Sequence, residues 1–207
     1  MLANEFFDAL PIRQFLRHGD GWRERVVGLN GDRLTFGLTE AAPVAALAHR
    51  LSDTADGDLV ELCPAAAPIM AEIARRIASH GGAALIFDYG GWRSLGDTLQ
   101  ALRRHAFANP LETPGEADLT AHVDFEALAR AAPGTAVSPL VTQGDWLTRL
   151  GIQMRAEVLA RSLSGEALAN HRAALHRLTA PEEMGTLFKT LALAPPGQPL
   201  PAGYHDA

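Results

Sequence analysis

Apolar and polar positions change period several times along the chain, and each change predicts an element. Two β-type runs, WRERVVGL (22–29) and DRLTFGL (32–38), flank Asn30-Gly31. Asn-Gly supplies the positive φ values of a type I′ turn, so a hairpin is predicted over 22–38. Residues 12–17 read as a strand before it. Asp58–Leu62 reads as a short strand after it, closed by Pro64. In AAAPIMAEIARRIAS (65–79), Ile69, Ile73 and Ile77 recur at i, i+4, i+8, the signature of an amphipathic helix, and His80-Gly81-Gly82 ends it. The run Ala83–Phe87 that follows has no polar alternation, as in a strand covered on both faces of a parallel sheet. Asp88-Tyr89-Gly90-Gly91 then falls at that strand's C-terminal end, where open α/β sheets bind ligands.

The remaining segments are less regular. Residues 4–10 predict a helical turn or loop closed by Pro11, 40–56 a loop or weak helix, and 94–123 irregular chain. Helices are predicted at 125–132, 144–150, 152–163 and 166–178, the last three separated by Gly151 and Gly165. Residues 136–142 and 186–193 predict strands, and the Pro- and Gly-rich stretch 195–207 a fraying, flexible tail behind a unit of residues 1–194. Helices and strands alternate throughout, which is the α/β class.

Composition narrows the function classes. The 207 residues carry 18 basic and 24 acidic side chains, a net charge of −6, which argues against non-specific nucleic-acid binding. No apolar run approaches the ~20 residues of a membrane span. One cysteine, Cys63, excludes an intramolecular disulfide and reads as buried rather than nucleophilic. The N-terminus lacks a basic region before an apolar stretch and is too acidic for a transit peptide, so a cytoplasmic location is expected. Arginine accounts for 17 of the 18 basic residues and alanine for 37 positions, a bias of GC-rich coding that says nothing about function.

Three groups of side chains could carry chemistry. Asp118, His122 and Asp124 could ligate a metal or act as a base; the alternative is that Asp124 caps the helix at Phe125. Asn4, Glu5 and Asp8, beside Phe6 and Phe7, could grip a cationic group; equally, they could be the acids favoured at a helix N-terminus. Asp88 and Tyr89 could touch a ligand at the strand end, or form a turn. No glycine-rich phosphate loop and no serine-nucleophile elbow is present.

Several segments together resemble one family. They are Ala3-Asn4-Glu5-Phe6-Phe7-Asp8-Ala9-Leu10-Pro11, Leu85-Ile86-Phe87-Asp88-Tyr89-Gly90 and the run Pro114–Phe125 (PGEADLTAHVDF). Thr142-Gln143-Gly144-Asp145-Trp146-Leu147, Leu150-Gly151-Ile152, Met184-Gly185 and Leu187-Phe188-Lys189 complete the set. The chain is similar in these to the MidA-like family of class I S-adenosylmethionine-dependent methyltransferases. The mitochondrial members of that family methylate a protein arginine and assist assembly of respiratory complex I. The resemblance implies the C-terminal part of a Rossmann-like methyltransferase sheet, with an inserted β-hairpin and a helical segment. Members are about twice as long, and their glycine-rich cofactor loop precedes the segment matched here. The expectation is therefore a half-domain, inactive alone, or else a non-catalytic interaction or complex-assembly module.

By the same resemblance, Glu5 and Asp8 would face a cationic protein substrate, such as a complex I subunit. His122 would add a polar contact. Asn4, Asp88 and Tyr89 would border S-adenosylmethionine. The strand 83–87 would have only residues 1–3 as its parallel neighbour. Its edge would then pair with 58–62 or with another chain, as in a homodimer.

Overall fold

A computed structural model describes residues 1–204. The strands and helices run in the order β1 (Leu2–Asn4), β2 (Arg13–His18), β3 (Gly21–Asn30), β4 (Arg33–Leu38), β5 (Leu59–Leu62), α1 (Ala66–His80), β6 (Ala84–Gly91), β7 (Gln100–Arg103), β8 (Ala106–Ala108), β9 (Asp118–Thr120) and β10 (Val123–Asp124). Then come α2 (Phe125–Arg130), β11 (Ala136–Val137), β12 (Val141–Thr142), α3 (Gln143–Arg149), α4 (Ile152–Ala160), α5 (Gly165–Thr179) and β13 (Phe188–Ala194). No helix among the described residues is long and apolar enough to cross a membrane.

The central sheet is mixed, in the order β1-β6-β13-β11, with β12 also on β13 and β10 beside the end of β6. β1 runs parallel to β6, with Leu2 opposite Leu85 and Asn4 opposite Phe87. β13 runs antiparallel along β6 from Ala84 to Tyr89. Ala84, Ile86 and Asp88 point to one buried face of β6, where Met70, Ile73 and Ile77 of α1 and Phe125 and Leu128 of α2 complete the core. Burying each such large apolar side chain contributes about 1.5–3 kcal/mol. On the other face, the Phe87 ring meets Trp146 edge-on at 4.9 Å between centroids.

This arrangement corrects the expectation of an uncovered strand. β6 has β13 on one side and β1 on the other, so it supplies no reason for pairing with a second copy. β5, the substitute neighbour expected from the sequence, pairs with β2 instead, Arg13 opposite Leu62. The open edge belongs to β1, where Met1 and Leu2 are exposed.

Two smaller sheets are attached. The first has the order β4-β3-β2-β5 around Phe15, Trp22, Leu47 and Val60. Its hairpin forms as predicted, but the turn is displaced by one residue. Asn30 pairs with Arg33, so the tip is Gly31-Asp32. Gly31 has φ +61 and Asp32 is not left-handed, which is the type II′ pattern with glycine at its first central position. The second sheet, β8-β7-β9, occupies the 94–123 stretch expected to be irregular. Its turn, Arg104-His105, is left-handed at both residues (φ +51 and +63) and contains no glycine, so no turn signal marks it.

Two further expectations change. The strand predicted at 136–142 is interrupted at Ser138-Pro139. Proline has no N–H to give the ladder, and at Ser138 the side-chain hydroxyl, in place of a backbone carbonyl, accepts the Ala192 N–H at 2.9 Å. Of the stretch 195–207 expected to fray, residues 195–204 pack back onto the sheet, and 205–207 lie outside the described residues. Tyr204 is buried beside Trp146 and hydrogen-bonds Thr190, and the Trp146 indole donates to the Ala202 carbonyl.

Candidate active site

Because β1 and β6 are parallel, their C-terminal ends lie side by side, and the acidic loop leaving β1 passes Asp88. Asp88 is fully buried. Its Oδ2 accepts the N–H of Phe7 (3.0 Å) and of Asp8 (3.3 Å), and its Oδ1 accepts the N–H of Tyr89 (3.0 Å). The carboxylate is thus a template for the loop backbone. Burial, and next the charge of Asp8, push Asp88 up to about 7. With no exposed surface and both oxygens engaged, the Asp88 side chain organises the loop.

The loop divides its two acids. Asn4 and Glu5 sit exposed at the end of β1, where the Asn4 amide donates to Glu5 Oε1 at 3.3 Å. The Glu5 N–H donates to the Phe87 carbonyl at 2.9 Å, and its backbone is left-handed at φ +47. Asp8 turns inward and is 5% exposed. Its Oδ2 accepts the Tyr89 hydroxyl at 2.6 Å, while its Oδ1 is buried with no hydrogen-bond partner among the described residues. Burial, and then the hydrogen bond to Asp8, raise the Tyr89 phenol above its usual range, so it stays a donor. The Tyr89 hydroxyl is thus committed to Asp8.

His122 reaches this cluster through Gly90. A Cβ at Gly90 would stand 2.2 Å from the Val123 carbonyl oxygen, so only glycine lets β10 lie against the end of β6. The His122 ring then meets Tyr89 edge-on at 5.5 Å between centroids. Burial lowers its pKa, with the charge of Lys189 acting the same way and Glu61 opposing, so the ring is neutral at pH 7.

Asp118, His122 and Asp124 do not converge, and no group of three such side chains able to hold a metal occurs among the described residues. Asp124 caps α2, accepting the Ala127 N–H at 2.8 Å, and also accepts the Ser94 N–H at 2.9 Å. The half-buried Cys63 has its thiol pushed up by burial, which makes it a poor nucleophile.

Sequence reasoning passes over Glu61, the hub that holds His122 in place. Glu61 accepts from Gln14 Nε2 (2.7 Å), from the Thr98 N–H (2.9 Å) and from the Thr98 hydroxyl. That hydroxyl in turn accepts the His122 N–H at 2.8 Å. The signal was a lone carboxylate inside the short apolar run Leu59-Val60-Glu61-Leu62, an expensive residue to bury without partners.

A mixed sheet with an acidic loop at the joined ends of its parallel strands is a frame that many α/β proteins share, and comparison with known proteins supplies the family. Residues 1–142 match the family described as "Putative S-adenosyl-L-methionine-dependent methyltransferase", and the chain belongs to that family. It is 37% identical over 199 residues to human "Protein arginine methyltransferase NDUFAF7, mitochondrial", covering 94% of this chain and 45% of that protein. The protein of the same name from Xenopus tropicalis is 39% identical over 202 residues, with 94% and 46% covered. A COG1565 superfamily member from Burkholderia thailandensis, solved with S-adenosyl-homocysteine bound, superposes with TM-score 0.76 at 27% identity, over 100% of this chain and 54% of that one. The chain spans about half the length of the curated relatives it matches. The relatives are mitochondrial proteins, which overturns the expectation of a cytoplasmic location.

Proposed function

We propose that this chain is the substrate-side half of an S-adenosylmethionine-dependent protein arginine methyltransferase. The observation that carries the reading is the acidic loop at the end of β1. There Asp88 holds the backbone, Glu5 is presented at the rim and Asp8 is held inward. When bound, S-adenosylmethionine supplies the methyl group from its sulfonium. Asn4 fits the cofactor as an exposed amide at the strand end; the fully engaged Asp88 does not. In this reading Glu5 and Asp8 orient a cationic nitrogen, as charge-assisted hydrogen bonds do well. Neutral His122 is available to receive a proton as the nitrogen becomes nucleophilic. The protein substrate follows from the relatives' activity, and a respiratory complex I subunit from the family resemblance.

Turnover is proposed to need the other half of the relatives' length. The test uses tritiated S-adenosylmethionine and a chain extended to that length. Glu5→Gln should retain cofactor binding and lose at least about tenfold in methyl transfer, because a charge-assisted contact contributes ~1.5–3 kcal/mol. The 207-residue chain by itself should show no turnover. Full transfer by the Gln variant would refute the role of Glu5. Tight S-adenosylmethionine binding by the short chain would refute its dependence on the other half.

A further inference from the structure

Beside Asp8 lies a cavity of about 340 Å³. Its floor carries Asp8 and Thr120, both more than nine-tenths buried. Each brings a polar atom with no hydrogen-bond partner among the described residues: Asp8 Oδ1 and Thr120 Oγ1. The walls are apolar and come from both added sheets: Val27 and Phe36 from the β3–β4 hairpin, and Leu99 and Leu119 from around β7 and β9. Arg25 at the margin is already committed. It lies over the Phe36 ring and donates to Asp97 Oδ2 at 2.6 Å and to Gln14 Oε1 at 3.0 Å.

An unfilled buried acceptor is costly unless a donor arrives. Asp8 Oδ1 calls for a donor, preferably a charged one, and Thr120 Oγ1 offers a second acceptor at another point of the floor. The apolar walls suit a chain of methylenes behind the charge. A guanidinium on an aliphatic stem has this form, with donors spread across a plane; an ammonium offers a single charged point. We propose that this cavity is the specificity pocket for an arginine side chain of the protein substrate, with Asp8 and Thr120 as the acceptors. It rests on the reading above and adds that the hairpin sheet, absent from a bare α/β sheet, forms the wall that selects the side chain.

The test measures binding, without S-adenosylmethionine, by amide chemical shifts of the ¹⁵N-labelled 207-residue chain. The probes are acetyl-Gly-Arg-Gly-amide, its citrulline analogue of the same shape without charge, and its lysine analogue. The arginine peptide should move the amides of Asp8, Val27, Leu99 and Thr120. Citrulline should bind about tenfold more weakly or worse, as loss of a charge-assisted bond requires, with lysine between them. Asp8→Asn should abolish the preference for arginine over citrulline. Because that change also touches the Tyr89 bond, Val27→Trp provides a second variant. It fills the cavity from its exposed rim and should remove binding while leaving the amide spectrum folded. Equal binding of citrulline and arginine, shifts confined to other surfaces, or undiminished binding by folded Val27→Trp would each overturn the proposal. Arginine seating here without methyl transfer by the extended chain would instead defeat the proposed function and leave the pocket standing.

Discussion

Asp88 and Glu61 are both buried carboxylates on strands, at 0% and 3% exposure, and the molecule satisfies them in opposite ways. Asp88, in the central sheet, is filled by three backbone N–H groups, two of them from the loop after β1. Glu61, in the four-stranded sheet, is filled mainly by side chains brought from distant points: Gln14 on β2 and Thr98 before β7. The side-chain network around Glu61 closes on itself, since Gln14 also engages Asp97 and Arg25. It fastens the sheets together and leaves nothing free. The amide cradle around Asp88 spends the acid on fixing a backbone path, and the neighbouring Asp8 keeps an open oxygen. Closed polar networks hold the fold; an acid devoted to aiming its neighbour marks where chemistry can occur.

The comparison can be broken most directly at Asp88. Asp88→Ala would strand two buried donors and one part-buried donor, the buried ones costing ~1–3 kcal/mol each, so a loss on the order of 4 kcal/mol in urea unfolding is expected. A loss below about 1 kcal/mol would show that the loop does not need its template. Glu61→Gln should cost less, about 1–2 kcal/mol, because an amide can still accept one bond and its partners can rotate. Its signature would be faster hydrogen exchange at the His122 amide, which hangs from Thr98. Asp88 also sets a pH dependence. Asp88 holds its proton up to about 7 in the folded chain, against 3.8 as the ordinary value. The folded state therefore binds more protons than the unfolded one between these limits. The contribution of Asp88 to stability falls as pH rises through that window and is level outside it. Asp88→Asn should flatten the corresponding slope of unfolding free energy; an unchanged slope would assign the pH dependence to other groups.

How much of this was legible in the sequence depended on range. α1, β6 and the hairpin announce themselves within a few residues, through Ile spacing, an unbroken apolar run and an Asn-Gly pair. Even there, Asn-Gly fitted two registers, and cross-strand pairing chose Gly31-Asp32. β13 was predicted as a strand, but its place against β6 is decided by packing between residues far apart in the chain. The β7–β9 sheet escaped because its strands are three or four residues long and its turn uses Arg104 and His105. The candidate site was legible as residue types only. That Asp8 and Glu5 face different environments follows from Asp88 drawing in the N–H groups of Phe7 and Asp8, an interaction across the sheet that no local pattern encodes.

The left-handed backbone at Glu5 has a consequence for heredity. A residue with a side chain pays ~1–2 kcal/mol to stand at such an angle, and glycine or asparagine stands there at little cost. Drift governed by folding alone would carry position 5 toward those two residues. Glutamate is the less comfortable occupant, so a lineage that keeps it is answering to something besides the fold. Position 5 thus separates two pressures that usually coincide: survival of the molecule and survival of its work.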